Sequence, residues 1–386
     1  RVKPYPLPEE LEIFRQSCLR FTQDKIEPYV FEWEEAGEFP KTLYSEAAKA
    51  GILGAGFDAA LGGSGGDLRH GLVASEAMLT AGSTGVVVGL QSLGIALPPI
   101  MNLGSEDQKK RFVPPILRGE KISALAITEP GAGSDVAGVT TRAVKDGNHY
   151  VLNGAKLFIT SGARADFVVT LARTSAHPHQ GLTFFVVEKG MPGFRASKRL
   201  KKTGWWASDT AELSYDDVRV PVSNRLGDEG SGFISVMQTF IGERLFLAFL
   251  GHLTAEIALR EALAYVRERQ AFGRPLADFQ VIRHKLADMA TKTTACRTFN
   301  HSLMNQVLAG KKPVAEVAMA KNFASQVAID VSYEAVQVFG GMGYMRETKV
   351  ERLSRDARLL PIGGGTQEIM NELIARWGLG LEESRG

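Results

Sequence analysis

The sequence predicts a mainly α-helical protein with a β-barrel as its middle domain. At both ends of the 386-residue chain, apolar residues recur at three- and four-residue spacings, the period of a helix that packs one face on a core. In the middle, short runs rich in Val, Phe and Thr are separated by turn residues, which is typical of a barrel. One core rarely serves so long a chain, so we expect a helical domain over residues 1–122, a β-barrel over 123–230 and a helical bundle over 231–386.

The helical prediction for the N-terminal region rests on Leu11, Phe14, Cys18 and Phe21, which follow one another at helical spacing. The glycine-rich residues 60–67 predict a loop. In the middle region, Asn153-Gly154 predicts a two-residue hairpin between strands over 150–152 and 155–160. Further strands are predicted over 167–171, 182–187 and 212–220. Bundle helices are predicted over 234–267, 282–309, 314–339 and 367–377.

The composition excludes several classes of protein. The 45 basic and 43 acidic residues are interspersed, so the basic footprint of a nucleic-acid-binding protein is missing. Cys18 and Cys296 stand far apart, which argues against a metal site or a disulfide framework and favours a reducing compartment. The apolar residues 85–100 are too short and too interrupted to span a membrane. We expect a protein of the bacterial cytoplasm or the mitochondrial matrix, not a secreted one. Because the chain begins with Arg1, a removed transit peptide stays an alternative.

The segment PIGGGTQEIM (361–370) predicts a glycine loop that leads into a helix with Thr366 as its N-cap. Loops of this kind present bare backbone N–H groups to an anion or a carbonyl oxygen. A second backbone-rich segment, EPGAGSD (129–135), lacks the third glycine of a dinucleotide fingerprint. Placed beside residues 158–162, it would approach a flat aromatic ring, with Thr128 and Thr160 supplying hydroxyls.

Seven motifs, taken in order, resemble those of the acyl-CoA dehydrogenases, a family of flavoproteins. They are LAITEPGAGSD (125–135), YVLNGAKLFITSG (150–162), SDT with DVRVP (208–210 and 217–221), RERQAFG (267–273), QVFGGMG (337–343), RDA (355–357) and GT (365–366). The resemblance covers nearly the whole chain. It implies an N-terminal helical domain, a middle β-barrel and a C-terminal four-helix bundle, assembled as a homotetramer (a dimer of dimers) with bound FAD.

The resemblance also implies which residues bind FAD. Those that match the lining of the isoalloxazine ring are Leu125, Ile127, Thr128, Phe158 and Thr160. Gly133 and Ser134 match the region of the flavin phosphates or the substrate. Those that match contacts to the rest of the cofactor, across a subunit boundary, are Arg269, Phe272, Gln280, Gln337, Gly340 and Gly341. Thr366 and Glu368 match flavin contacts after the glycine loop. Phe158 replaces the Trp of many relatives, which keeps a stacking face but removes an indole N–H.

The reaction implied by the resemblance removes a proton from the carbon alpha to a thioester and passes the beta hydride to N5 of FAD. It needs a carboxylate base and donors to the enolate oxygen. In most relatives the base is a Glu immediately before the Gly-Thr pair, but here that position is Gly364. Relatives of the isovaleryl-CoA and long-chain types carry the base at a helix position that Glu243 matches. We predict Glu243 as the base, with its pKa raised by burial, and the Gly364 N–H as a retained donor to the thioester oxygen.

Gly363 stands where many straight-chain relatives have a bulky tyrosine, so Gly363 and Gly364 predict open space beside the alpha and beta carbons. This space would accommodate a methyl branch on carbon 3, as in isovaleryl-CoA or citronellyl-CoA. Ser134, Arg244 and Arg376 match positions near the acyl-CoA substrate, where each Arg either binds a CoA phosphate or forms a structural ion pair. The resemblance implies an electron-transfer flavoprotein as electron acceptor. Alternatives are a straight long-chain acyl-CoA dehydrogenase, an acyl-CoA oxidase and a non-catalytic flavin-binding relative.

Overall fold

The computed structural model describes residues 5–381, and within this range a helical region, a sheet and a second helical region follow one another. The helices before the sheet are α1 Glu9–Lys25, α2 Val30–Ala36, α3 Thr42–Lys49, α4 Leu68–Leu79, α5 Thr84–Leu90, α6 Leu93–Leu103 and α7 Glu106–Leu117. The helices after it are α8 Gly232–Glu268, α9 Gln280–Leu308, α10 Val314–Phe339, α11 Lys349–Ala357 and α12 Gln367–Leu373. The predicted fold class is confirmed.

The middle region is a mixed sheet of eight strands. They are β1 Ser123–Ala126, β2 Arg142–Asp146, β3 His149–Thr160, β4 Phe167–Arg173, β5 Leu182–Glu188, β6 Phe194–Arg199, β7 Thr210–Pro221 and β8 Arg225–Leu226. Their order is β6-β7-β3-β2-β4-β5-β8, and β1 lies parallel to β4 beside this path. A separate small hairpin, β9 Gln270–Ala271 with β10 Arg274–Pro275, connects α8 to α9.

Strands β4 and β5 are buried on both faces, because successive side chains of a strand alternate between the two sides of a sheet. Val168 and Phe185 belong to a core made of sheet residues, whereas Val169 and Phe184 are buried among residues of the helices. All four are fully buried. This position between two cores explains why both strands appear in the sequence as continuous apolar runs rather than as alternating ones.

The long helices of the C-terminal region agree with their predicted positions. Helix α10 has the predicted bounds, and α8 and α9 begin and end within two residues of theirs. Helix α10 packs along α8 and also contacts α9, α11 and α12. The final helix is shorter than predicted, because α12 ends at Leu373 and the chain continues as a π-helical turn, Ile374–Gly378.

The predicted hairpin at Asn153-Gly154 is wrong, since β3 runs through both residues. The register of β3 against β7 shifts between Leu152 and Gly154, so the dipeptide forms a β-bulge. Asn153 exchanges two hydrogen bonds with Asp217 across the pair, at 2.9 and 3.0 Å. A Cβ on Gly154 would lie 2.4 Å from Oγ1 of Thr141, so the close approach of that strand requires glycine. The true two-residue turn is Gly147-Asn148, between β2 and β3.

Two helical stretches, Thr84–Leu103 and Gly232–Glu268, are long and apolar enough to cross a membrane, so the expectation that residues 85–100 are too short and too interrupted is wrong. Their most apolar windows are 61% and 44% buried inside the protein. The first stretch comprises α5 and α6, and the second is α8, which packs along α9 and α10. Both stretches therefore pack as core helices, and core helices can be as long and as apolar as helices that cross a membrane.

A buried network of charged side chains joins the three regions of the chain. Asp356 on α11 is fully buried, and its carboxylate accepts hydrogen bonds from the amides of Thr84 (3.0 Å) and Trp205 (2.6 Å). Glu34 on α2 pairs with Arg355 at 3.1 Å. Burial, together with the charge of Glu34, raises the pKa of Asp356 to about 7. The network ties α2, the start of α5, the loop between β6 and β7, and α11 to one another.

Replacing Asp356 by Ala should destabilise the fold, because the amides of Thr84 and Trp205 would be left buried without an acceptor. Each unsatisfied amide lowers the free energy of unfolding by ~1–3 kcal/mol. Urea denaturation followed by tryptophan fluorescence measures the effect. Asp146→Ala is the control, since Asp146 forms an exposed pair with Arg219 at 2.7 Å, and exposed pairs contribute about 0.2–1 kcal/mol. Equal losses in the two variants would contradict the role given to the network.

Candidate active site

The glycine loop before α12 has a backbone that favours glycine. Gly364 and Gly365 adopt φ values of +65° and +96°, in the left-handed region. Thr366 then returns to an extended conformation, and its hydroxyl accepts a hydrogen bond from the amide of Ile369 at 3.3 Å. The predicted N-cap at Thr366 is therefore confirmed. The chain turns sharply at Gly364 and Gly365, and α12 begins directly after Thr366.

The peptide groups of this loop are held on their carbonyl side. Arg244 on α8 donates from Nε to the carbonyl of Gly364 at 3.3 Å, and Lys321 on α10 donates from Nζ to the carbonyl of Gly365 at 2.5 Å. Within residues 5–381, no hydrogen bond from the amides of Gly364, Gly365 or Thr366 is formed. The loop thus presents three consecutive backbone donors, as a site for a carbonyl oxygen or an anion requires.

Glu243 lies beside this loop although 120 residues separate it from Gly364. A Cβ built on Gly364 would lie 3.4 Å from Oε1 of Glu243. The Glu243 carboxylate therefore occupies space next to the missing side chain of residue 364. Helix α8 brings it there because α8 packs along α10, from which Lys321 reaches the same loop.

The pKa of Glu243 is raised from its ordinary value of 4.5. Removal of the carboxylate from water is the main cause, and the positive charges of Arg244 and Lys321 oppose it. Burial also lowers the pKa of Arg244 and, together with the charge of Arg244, lowers that of Lys321 to about 8. A carboxylate whose pKa is raised by burial binds a proton more readily than an exposed one, which suits a general base.

The open space predicted at the two glycines exists only at Gly363. A Cβ on Gly363 would have its first neighbour, the Leu359 carbonyl, at 3.8 Å, which is ordinary contact. A Cβ on Gly364 would lie 2.5 Å from Cδ1 of Leu247, so this leucine and Glu243 fill that space. The expectation of open space at Gly364 is thus wrong, because α8 places two side chains there.

The predicted ring-binding residues come together where β3 meets the segment after β1. The amide of Leu157 donates to the carbonyl of Thr128 at 2.9 Å. Lys156, fully buried, donates to the carbonyl of Ile127 at 2.7 Å and pairs with Glu129 at 2.9 Å. Burial raises the pKa of Glu129, but the Lys156 charge and the hydrogen bonds from Thr140 and Thr141 outweigh it and hold that pKa at about 2. Leu125, Ile127 and Thr128 are thereby fixed next to Phe158 and Thr160.

The exposed groups at this junction fit a flat aromatic cofactor. Phe158 is 64% exposed and has a φ of +61°, unusual for a residue with a side chain. Gly133 and Ser134 lie in an exposed loop, and a Cβ on Gly133 would meet nothing within 4 Å. An apolar ring turned to solvent beside bare backbone is suited to stacking and close approach. These residues fit the isoalloxazine ring and phosphates of FAD.

The second group of predicted FAD residues lies at the far end of the bundle. Arg269, Phe272, Gln280, Gln337, Gly340 and Gly341 are exposed near the end of α8, the start of α9 and the end of α10. Tyr265 and Phe339 stack there with their ring centroids 4.1 Å apart. Glu243 and Arg269 stand at opposite parts of α8, roughly 40 Å apart along its axis at 1.5 Å per residue. Within one chain, Arg269 therefore does not lie beside Glu243.

The remaining predicted residues lie around α12. Glu368 is exposed, and hydrogen bonds from its own backbone and from the Thr366 hydroxyl lower its pKa. Arg376 is exposed in the π-helical turn, with its guanidinium 5.3 Å from the ring of Trp377. Arg244, by contrast, is only 7% exposed, and its guanidinium stacks 4.8 Å from the ring of Phe240. Its surroundings favour a structural role over contact with a CoA phosphate.

The sequence analysis did not select Lys321, Leu247 or the pair of Lys156 with Glu129. A signal existed for Lys321, since it is a charged residue within the small apolar residues of α10, among them Ala318, Ala320 and Ala324. Lys156 gave a similar signal, since it is a charged residue between Ala155 and the apolar run Leu157-Phe158-Ile159. Leu247 gave none, because a leucine on a core helix is ordinary.

Comparison with known proteins gives consistent results. Three segments match families described as acyl-CoA dehydrogenase N-terminal domain (residues 8–120), middle domain (124–218) and C-terminal domain (230–379). The chain is 43% identical over 370 residues to the mitochondrial long-chain specific acyl-CoA dehydrogenase of Sus scrofa, which covers 95% of this chain and 86% of that protein. It is 37% identical over 378 residues to the mitochondrial isovaleryl-CoA dehydrogenase of Pongo abelii, covering 96% and 89%.

The crystal structure of a probable acyl-CoA dehydrogenase from Mycobacterium abscessus is similar to the whole fold. It superimposes with a TM-score of 0.95 at 51% identity and covers 96% of this chain and 99% of that one. With all three domain families matched in order, the chain belongs to the acyl-CoA dehydrogenase family, whose members are FAD-dependent oxidoreductases that act on acyl-CoA.

Proposed function

We propose that this protein dehydrogenates a 3-methyl-branched acyl-CoA to the trans-2-enoyl-CoA, with Glu243 as the base. The observation that carries the proposal is the position of the Glu243 carboxylate, which lies beside Gly364 and beside a loop whose amides donate no hydrogen bond within the described residues. A base has to reach the alpha carbon while donors hold the thioester oxygen. Both requirements meet at this loop.

In the proposed mechanism the thioester oxygen accepts hydrogen bonds from the loop, with the amide of Gly364 as the principal donor. This contact stabilises the negative charge that develops on the oxygen when the alpha proton leaves. Glu243 takes that proton on a carboxylate oxygen. Arg244 keeps the loop in place through the Gly364 carbonyl. FAD, when bound, supplies the acceptor for the hydride from the beta carbon.

The residues proposed to hold FAD form two groups from different subunits. Leu125, Ile127, Thr128, Phe158 and Thr160 would contact the ring, with Gly133, Ser134, Thr366 and Glu368 around it. The exposed group at the end of α8, from Arg269 to Gly341, would hold the rest of the cofactor of a neighbouring copy. Phe272 is 95% exposed, as expected of a side chain that a partner or a cofactor covers. This arrangement supports a homotetramer built as a dimer of dimers. Membership of the family supports an electron-transfer flavoprotein as electron acceptor.

The proposed branch position rests on Gly363, the glycine of the loop that retains space for a substituent. The candidate substrates are isovaleryl-CoA and a longer 3-methyl acyl-CoA such as citronellyl-CoA. Arg376, exposed on the π-helical turn, remains a candidate for a CoA phosphate.

Glu243→Gln should lower the rate of flavin reduction by about 10²–10⁴-fold, because the amide cannot take the alpha proton. Anaerobic absorbance at the flavin band after mixing with acyl-CoA measures this rate. Glu316→Gln, an exposed carboxylate on α10, is the matched control and should retain the wild-type rate. A Glu243→Gln enzyme as fast as the control would rule out Glu243 as the base.

As the pH is lowered, the rate of flavin reduction should fall at a higher pH than it would if the base were a glutamate with an ordinary pKa. The pKa of Glu243 is raised above 4.5 by burial, and the base works only when deprotonated. Activity is therefore present above the raised pKa and is lost as the pH falls through it. The pH profile of kcat/KM reports this value for the free enzyme. An acid limb at or below pH 4.5 would contradict the desolvated environment.

Gly363→Ala should lower the turnover of 3-methyl acyl-CoA relative to straight-chain acyl-CoA by about tenfold or more, since one methyl group in a tight pocket is worth ~1–3 kcal/mol. The panel is isovaleryl-, citronellyl-, octanoyl- and palmitoyl-CoA, assayed by flavin bleaching. Gly71→Ala, in α4 with ordinary contact distances, is the control. If the wild-type enzyme prefers straight-chain acyl-CoA, the proposed preference for a 3-methyl branch is wrong, whereas the proposed dehydrogenase activity stands.

A further inference from the structure

Lys321 is a fully buried charge on the apolar face of α10. An ammonium group in such a place is costly unless it is paired or hydrogen-bonded. Its hydrogen bond is the 2.5 Å contact with the carbonyl of Gly365. A methionine would fill the same space without that cost. What the lysine provides, and a methionine would not, is the hydrogen bond to the carbonyl of Gly365 in the glycine loop.

This contact fixes the direction of a backbone donor. The described peptide bonds are trans, and in a trans peptide the N–H points opposite to the C=O. The carbonyl of Gly365 belongs to the same peptide as the amide of Thr366, so Lys321 orients that amide. Arg244 orients the amide of Gly365 in the same way through the Gly364 carbonyl. Cations from two helices thus hold the carbonyl side of the loop, and the amides face the other way.

The same ammonium also acts on the base. The charged groups that lower the pKa of Glu243 are Arg244, on the same helix, and Lys321, on α10. The loop over residues 361–367 carries no charged side chain, and Glu368 at the start of α12 is exposed. Lys321 is therefore the charge from outside α8 that balances the buried carboxylate.

On the basis of the proposed function, we propose that Lys321 is a positioning residue for the reaction. It holds the Gly365 carbonyl and so orients the Thr366 amide as a further donor beside that of Gly364, and its positive charge, at the same glycine loop that Glu243 adjoins, favours the carboxylate form. It does not touch the reacting atoms. Its two effects serve opposite ends of one step, since one stabilises the oxygen that gains charge and the other keeps the base ready to take the proton.

The first test needs no substrate. In the FAD-loaded enzyme, the infrared band of the protonated Glu243 carboxyl, identified by its absence in Glu243→Gln, is followed against pH. Lys321→Gln, which can still donate to Gly365 but carries no charge, should raise the midpoint by about one pH unit. Lys321→Arg, which keeps the charge, should leave it near the wild-type value. Because no turnover is required, this result stands even if every acyl-CoA in the panel fails to reduce the flavin.

The second test measures flavin reduction in the same variants. Lys321→Gln should be roughly tenfold slower or more at pH 7, recover part of the loss at higher pH, and keep the affinity for acyl-CoA within about threefold. Lys321→Arg should recover most of the wild-type rate.

Lys202→Gln is the control for the loss of a lysine whose pKa is lowered by burial; Lys202 is half-buried, whereas Lys321 is fully buried. Lys202 donates to the Thr210 hydroxyl at 3.0 Å in the middle region, and burial lowers its pKa to about 8, as for Lys321. The control should leave the Glu243 midpoint unchanged. An unchanged midpoint in Lys321→Gln, or equal shifts in Lys321→Gln and Lys202→Gln, would overturn the proposal. A shift in Lys321→Arg as large as in Lys321→Gln would also overturn it, because the charge would then not be the cause.

Discussion

The buried network around Asp356 and Glu34 sets the geometry on which the rest of the molecule depends. Its acceptors lie on α2 and α11, and its donors lie at the start of α5 and in the loop between β6 and β7. In the proposed site, the segment after β1 and strand β3 supply Thr128 and Phe158, whereas the bundle supplies Glu243 and the glycine loop. The relative position of these parts is only as well defined as the junction between the regions that carry them. Buried and hydrogen-bonded charges make that junction specific, because any other docking would leave them unpaired.

Desolvation has two consequences at the site. It raises the pKa of Glu243 toward the range in which a base can work, and it makes an unpaired carboxylate at that position expensive. Arg244 and Lys321 reduce this cost without neutralising the carboxylate through a direct salt bridge, because each of them donates to a backbone carbonyl of the loop. The same two side chains therefore balance the charge of the base and orient the donors that face the substrate.

Gly364 illustrates how a site can keep its chemistry when a residue is lost. Its backbone retains the amide that a donor to the thioester oxygen needs. Its missing side chain leaves space that Leu247 and Glu243 fill from α8. A carboxylate that belongs to a helix 120 residues earlier in the chain thus stands beside the loop. Gly364 has a φ of +65°, a conformation that glycine adopts without strain.

The sequence by itself determined the long helices of the C-terminal region, four strands of the sheet (β3, β4, β5 and β7) and the N-cap at Thr366, and its resemblance to the family supplied the candidate base, because periodicity, capping and motif order are local properties. The helix bounds of α10 and the role of Thr366 needed no distant contact. The tertiary structure decided what depends on approach between remote segments. Asn153-Gly154 forms a bulge because β7 and Thr141 lie against it, and the space at Gly364 is closed because α8 passes beside it. Lys321 on α10 contacts the carbonyl of Gly365 because of how the helices pack, and the spacing of residues along the chain does not predict this contact.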